Sequence, residues 1–278
     1  MKDIIIRTIS GAVFITLIMG SIAWNIYSSI TCFAIVIYLG LHEFYSFFDK
    51  TSQVAIDKRG SALIGTAVFL MLSASFLPIS LTPLFFISIS FFLLFSGMII
   101  ELWRKSDQPL LNLSVQFFGY MYLLVPFIAM LILRYTSGME VLIYMFLLIW
   151  TNDTFAYLCG RFLGKTKLFE RISPKKTWEG TAGGILFSMI GAILIAGFTD
   201  GLYLFWITAA FIISVAAIFG DLLESLFKRS VQVKDSGNLI PGHGGILDRF
   251  DAALMAAPFF LCWVFIYDYF CSYFITGL

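Results

Sequence analysis

The sequence contains little charge. Only 13% of its 278 residues are Asp, Glu, Lys or Arg, whereas a soluble domain usually carries about 25%. Hydrophobic residues make up 60% of the chain, and the 31 phenylalanines alone exceed what a water-exposed surface accommodates. This composition excludes an ordinary soluble domain and predicts a polytopic membrane protein. The net charge of +1 gives no reason to expect a nucleic-acid partner.

Cysteine is also scarce, and its pattern points to no special chemistry. The four cysteines form no Cys-x-x-Cys pair and lie in or beside apolar segments, which favours small buried hydrophobic residues over a disulfide or a metal site. The N-terminal stretch resembles a signal peptide, but its apolar run continues to about Trp24 without a small-x-small cleavage site. We interpret it as a retained first helix.

The apolar runs predict an all-α fold, a membrane helical bundle. A bilayer core about 30 Å thick needs about 20 apolar residues in helix, because lipid offers the backbone no hydrogen bonds. The alternating polarity that a transmembrane β-barrel would need is lacking. The chain also contains no internal repeat. Nine segments qualify as spans: 8–26, 28–48, 61–79, 82–102, 116–135, 139–158, 181–198, 202–226 and 252–275.

The basic residues predict an orientation. With the N-terminus in the cytoplasm, only Arg134 of the 18 basic residues falls on the outer side, as the positive-inside rule expects. The chain also divides by chemistry. Residues 1–140 are predicted to be a lipid-facing scaffold. Residues 141–278 are predicted to be the catalytic region, with cytoplasmic loops at 159–180 and 228–250.

Two groups of polar residues stand in the middle of the chain. Asp153 lies near the end of an apolar helix, four residues before Tyr157, followed by Arg161. It is either a ligand for metal or substrate or a partner in an interhelical hydrogen bond. Lys175 and Lys176 precede small residues that open a helix. They suit either a polyphosphate or anionic lipid head groups.

The third group is the most specific. Asp221, Glu224, Ser225 and Lys228 recur at helical spacing, and Asp248 and Asp251 repeat it after a glycine-rich loop that contains His243. Carboxylates from two helix ends form a hard-oxygen site suited to Mg²⁺, and the adjacent cations suit phosphates. Salt bridges that neutralise buried charge would explain one or two of these residues, but not so many within about 30 positions.

This group resembles the signature of the phosphatidate cytidylyltransferase (CDP-diacylglycerol synthase) family. The matching residues are Ser225, Lys228-Arg229, Lys234-Asp235, Pro241 to Gly245, Asp248-Arg249 and Asp251. Gly160-Arg161 and the run from Ser173 to Gly180 also resemble bacterial members. The resemblance implies that CTP and phosphatidic acid react to give CDP-diacylglycerol and pyrophosphate, with Mg²⁺ and a monovalent cation such as K⁺. It implies a multi-pass protein of the bacterial inner membrane, and a homodimer is left open.

The hypothesis assigns each polar residue a role. Asp221 and Asp248 are predicted to be the main metal ligands, supported by Glu224, Asp251 and Asp153. A further set is predicted to bind the phosphates of CTP or of the lipid: Lys175, Lys176, Lys228, Arg229, Arg249, Lys234, Arg161, Ser225 and His243. Two alternatives remain, a CTP-dependent kinase of a lipid alcohol and an ion-binding transporter. The sequence does not distinguish CTP from dCTP.

Overall fold

A computed structural model describes residues 2–50, 53–199, 201–233, 236–237 and 244–276. Within these residues the chain forms nine α-helices and one two-stranded sheet, which confirms the predicted all-α class. The helices are α1 Lys2–Trp24, α2 Ile26–Ser46, α3 Lys58–Ala74, α4 Pro83–Trp103, α5 Pro109–Thr136, α6 Met139–Leu163, α7 Trp178–Phe198, α8 Tyr203–Ser230 and α9 Leu247–Thr276. The strands are β1 Lys167–Phe169 and β2 Ser173–Thr177.

Seven of these helices are long and apolar enough to cross a bilayer, counted over the described part of the chain. Helix α1 contributes a shorter apolar stretch, Ile9–Trp24, and α3 has 17 residues. Side chains such as Phe92 and Leu102 are 73% and 77% exposed. That exposure suits contact with lipid rather than water. The chain is therefore a polytopic membrane protein, while the count of nine spans and the cytoplasmic N-terminus stay predictions.

Several helices extend beyond the predicted apolar segments, and the extensions carry polar residues. Helix α6 continues past residue 158 to Leu163, and α7 begins at Trp178 because Thr177 caps it by accepting a hydrogen bond from the Gly180 amide. Helix α9 begins at Leu247 rather than at residue 252. The apolar runs of the sequence stop short of these turns, because a helix can continue into the polar interface where water or caps satisfy its backbone.

The chain divides into two compact units. The first comprises Met1–Thr136 and Phe227–Phe250, and the second comprises Ser137–Leu226 and Asp251–Leu278. In the first unit, α2 packs on α3 and α5. The Phe33 and Phe127 rings of its buried core lie 5.2 Å apart. In the second unit, α6 packs on α7. The predicted division of the chain by chemistry near residue 140 stays a prediction.

Glycine allows two close contacts between helices of the second unit. A Cβ atom on Gly180 would lie 2.6 Å from the Ala156 carbonyl oxygen and 2.9 Å from the Gly160 Cα atom. Gly184 similarly faces Asn152 across the α6–α7 contact. Buried small residues continue this stripe along α7 at every fourth position, the pattern by which membrane helices approach closely. The contact therefore holds the end of α6 against the start of α7.

Candidate active site

A polar cavity of about 420 Å³ lies within the second unit. It is lined by residues of α6, β2, α7 and α8. The lining includes five of the predicted site residues: Asp153, Arg161, Lys175, Lys176 and Asp221. Three cations and two carboxylates thus face one space, which suits a polyanionic ligand that carries a cation with it.

Strand β2 of the hairpin carries Lys175 and Lys176, which line this cavity. Strands β1 and β2 pair antiparallel, with Lys167 opposite Thr177. The Glu179 carboxylate accepts hydrogen bonds from the backbone amides of Lys165 and Thr166, at 3.1 Å each. These bonds tie the approach to β1 to the first turn of α7. Lys175 and Lys176 are therefore placed by backbone contacts and not only by their own charge.

Asp221 forms an ion pair with Lys176. The distance from the lysine Nζ to Asp221 Oδ2 is 2.5 Å, and both side chains are partly exposed. The Ser225 hydroxyl donates a longer hydrogen bond of 3.3 Å to Asp221 Oδ1. Because a partly exposed pair contributes little to stability, breaking it so that Lys176 could bind an anionic ligand would cost little.

A group of carboxylates surrounds Asp251 within the second unit. Asp251 lies near enough to Asp221, Glu224 and Asp153 for their negative charges to repel its own. Gly220 permits this closeness, because a Cβ atom there would lie 3.2 Å from Ala252 Cα and 3.0 Å from Met255 Cβ. The sequence predicted these four residues as metal ligands, and the fold places them in one region.

The oxygen atoms of this region match the donors that Mg²⁺ prefers. Asn152 lines the same cavity as Asp153 and Asp221 and is 1% exposed. Among the described residues its Oδ1 atom has no hydrogen-bond partner, and such a buried acceptor costs about 1–3 kcal/mol. No three His, Cys, Asp or Glu residues of the described ranges stand as a group that could hold a metal ion. The oxygen donors therefore fit a hard cation chemically. The described residues do not form a set of ligands from which a coordination geometry could be given.

A second polar network lies in the first unit, around Asp248. Asp248 Oδ1 accepts a bond of 2.6 Å from Lys228 Nζ, and both side chains are 13% exposed. Its Oδ2 atom accepts bonds from the Ser236 hydroxyl at 2.7 Å and from the Gly245 amide at 2.9 Å. Both oxygens of Asp248 are thus engaged in holding the ends of the glycine-rich loop. Its predicted sharing of one cation with Asp221 stays a prediction.

Glu43 on α2 supports the same loop. It is 3% exposed, and its carboxylate accepts hydrogen bonds from the Ile246 amide at 2.8 Å and the Leu247 amide at 3.4 Å. These amides stand at the start of α9, where backbone donors have no partner inside the helix. The sequence analysis did not select Glu43. The feature of the sequence that could have pointed to Glu43 is a carboxylate inside an apolar helix.

Comparison with known proteins assigns the family. A family model described as "Cytidylyltransferase family" matches residues 5–267. The chain belongs to this cytidylyltransferase family. The match covers most of the chain, including α2 and the regions of both polar networks, and it confirms the family resemblance of the sequence motifs.

Individual members of the cytidylyltransferase family agree over shorter stretches. The chain is 42% identical over 174 residues to the phosphatidate cytidylyltransferase of Haemophilus influenzae, which is 58% of either chain. It is 46% identical over 125 residues to proteins of the same name from Staphylococcus haemolyticus and Staphylococcus aureus (strain COL). That stretch is 44% of this chain and 48% of each relative. The matched part therefore spans about half the length of these relatives.

The remaining predicted residues fall into two classes. Arg229 and Arg249 are exposed in the first unit. Lys234 and His243 lie outside the described residues, so their predicted contacts with phosphate stay predictions. Besides Glu43, the sequence analysis missed Asn152 as an oxygen donor and Ser236 as a partner of Asp248, because neither residue type stands out without its neighbours in space.

Proposed function

We propose that this cytidylyltransferase transfers the cytidylyl group of CTP to phosphatidate, giving CDP-diacylglycerol and pyrophosphate. The observation that carries the proposal is the polar cavity, in which Arg161, Lys175 and Lys176 face Asp153 and Asp221. Two phosphate-bearing substrates require such cationic groups. The names of the matched relatives support the same reaction.

In this proposal a phosphate oxygen of phosphatidate attacks the α-phosphorus of CTP. The new P–O bond forms as the bond from the α-phosphorus to the bridging oxygen breaks, and that electron pair leaves with pyrophosphate. The nucleophile is already an anion, so no proton acceptor is needed and positioning dominates the rate. Lys176 exchanges Asp221 for a phosphate oxygen, and Arg161 and Lys175 bind the remaining phosphate charge.

Mg²⁺ belongs to the proposal because the oxygen donors around Asp251 suit it. Asp221, Glu224, Asp251 and Asp153 would hold it, and it would neutralise charge on the phosphates as pyrophosphate leaves. A monovalent cation such as K⁺ is proposed beside it from the family resemblance. The cavity is proposed to face the cytoplasm of a bacterial inner membrane, where CTP is available.

The test is a two-product assay of the purified protein in detergent micelles containing phosphatidate. CTP labelled at the α-phosphate reports transfer to lipid, and a coupled assay reports pyrophosphate. We expect both products in equal amounts, with loss of both when EDTA removes divalent ions. In parallel micelles that contain a lipid alcohol such as a polyprenol, release of CDP with a phosphorylated lipid would identify a lipid kinase. The absence of any CTP turnover in both kinds of micelle would favour a transporter. Replacing CTP by dCTP in the same assay measures nucleotide selectivity.

A further inference from the structure

An apolar groove of about 240 Å³ opens on the second unit beside the polar cavity. One side is the β hairpin, through Leu168 and Phe169, and the other sides are faces of α7 and α8. Apart from Thr181, every side chain that lines it is apolar. The groove therefore offers a ligand mainly apolar contact area, and only Thr181 and the indole N–H of Trp178 carry a side-chain hydrogen-bonding group.

The groove adjoins the polar cavity. Thr181 and Ile218 line both spaces, so a ligand long enough to pass this pair of residues would reach both. On one side of this pair of residues the lining is cationic, and on the other side it is apolar. Such a division matches a molecule with a phosphate head and a hydrocarbon tail.

The groove runs along α7 and α8 in the direction that a lipid tail takes from the head-group level into the bilayer. Trp178 lines the groove at the first residue of α7, directly after the strand that carries the two lysines, and is 58% exposed. Tryptophan favours the level of the lipid head groups. From there the lining follows α7 to Ile185 and α8 from Leu222 back to Val215. Seven residues of helix span about 10 Å, so the groove runs from head-group level into the hydrocarbon region.

We propose that this groove binds one acyl chain of the lipid substrate while the lipid phosphate lies in the polar cavity. The inference rests on the proposed function, since it names how phosphatidate is held at that site. It also assigns the lateral access of the lipid to the gap between α7 and α8 beneath the hairpin. Lipid then reaches the phosphates of CTP without leaving the bilayer.

The first experiment fills the groove. Ile185 lines the groove but not the polar cavity, so Ile185→Trp should obstruct the tail and leave the nucleotide site intact. We expect the KM for dioleoyl phosphatidate, measured as its mole fraction in the micelle, to rise about fivefold or more, with the KM for CTP unchanged. The matched control is Ile193→Trp, which places the same side chain on an exposed position of α7 and should leave both constants unchanged. Equal constants in the two variants would overturn the proposal.

A second measurement uses the unaltered protein and does not depend on how the variants fold. Phosphatidate with a photoreactive diazirine in mid-chain is cross-linked, and the labelled peptides are identified by mass spectrometry. Label on the α7 and α8 segments that line the groove supports the proposal, and label concentrated around Ile193 or elsewhere overturns it. If the unaltered protein transfers cytidylyl but labels elsewhere, only the groove is wrong. If it does not turn over CTP with phosphatidate, the proposed function itself fails.

Discussion

Glu43 accepts a hydrogen bond of 2.8 Å from the Ile246 amide, and this bond joins the second helix of the chain to the start of the last. The carboxylate is 3% exposed, so the amides it serves have no ready access to water. A helix that appeared from its sequence to be scaffold therefore supports the loop that carries the family signature.

Glu43→Ala should lower both stability and activity. It leaves the buried amides of Ile246 and Leu247 without their acceptor, which costs about 2 kcal/mol. Glu43→Gln keeps one acceptor oxygen and should give an intermediate loss. The measurements are the thermal unfolding midpoint in detergent and the rate of CDP-diacylglycerol formation. Glu140→Ala removes an exposed carboxylate and serves as the control; an equal loss there would contradict the role of Glu43.

Gly180→Ala should destabilise the second unit. The added methyl group would meet backbone atoms of α6, 2.6 Å and 2.9 Å away, and backbone cannot move aside as a side chain can. We expect a loss of about 1–3 kcal/mol, typical of overpacking. Gly191→Ala tests the same change on the same helix, where the nearest atom lies 3.8 Å away. Similar unfolding midpoints for the two variants would show that the close contact is unimportant.

Asp221→Asn should abolish turnover without unfolding the protein. The Asp221–Lys176 pair is partly exposed, so its loss has a small effect on stability, whereas one electrostatic group in an active site is worth about a hundredfold or more in rate. Single-turnover kinetics and the unfolding midpoint give the two readouts. Asp268→Asn, an exposed residue of α9, is the control. Near-normal product formation by Asp221→Asn would remove it from the catalytic groups.

Lys176→Ala should act mainly on nucleotide binding. Loss of one charge-assisted hydrogen bond to phosphate costs about 1.5–3 kcal/mol, so we expect the KM for CTP to rise about tenfold or more. Lys167→Ala changes an exposed lysine of the same hairpin that does not line the cavity, and should leave the KM unchanged. A KM for CTP that is the same in both variants would place the triphosphate elsewhere.

The helices were predictable because lipid imposes a simple rule on the sequence: about 20 apolar residues, all in helix. The same rule could not predict the hairpin formed by Lys167–Phe169 and Ser173–Thr177, because short polar strands carry no such signal. Helical spacing correctly grouped Asp221 with Glu224 on one face. Their closeness to Asp251 depends on how tightly α8 and α9 approach at Gly220, and that follows from packing in three dimensions.

The Asp248 network shows a different limit. The sequence predicted that Asp248 is a metal ligand, but could not show that Lys228, Ser236 and Gly245 occupy its oxygens. Such contacts join residues up to 20 positions apart across a loop. Residue type indicates that a carboxylate is costly in a membrane helix, whereas its partners are decided by the fold.

The bond from Ile246 to Glu43 spans 203 positions of the chain, which has a consequence for biogenesis. The ribosome releases α2 to the bilayer long before it has made Ile246 and Leu247, whose amides donate hydrogen bonds to Glu43. Until then the carboxylate must tolerate the membrane protonated or with a temporary partner. The start of α9 therefore completes the support of the signature loop only after the helices between α2 and α9 have been made.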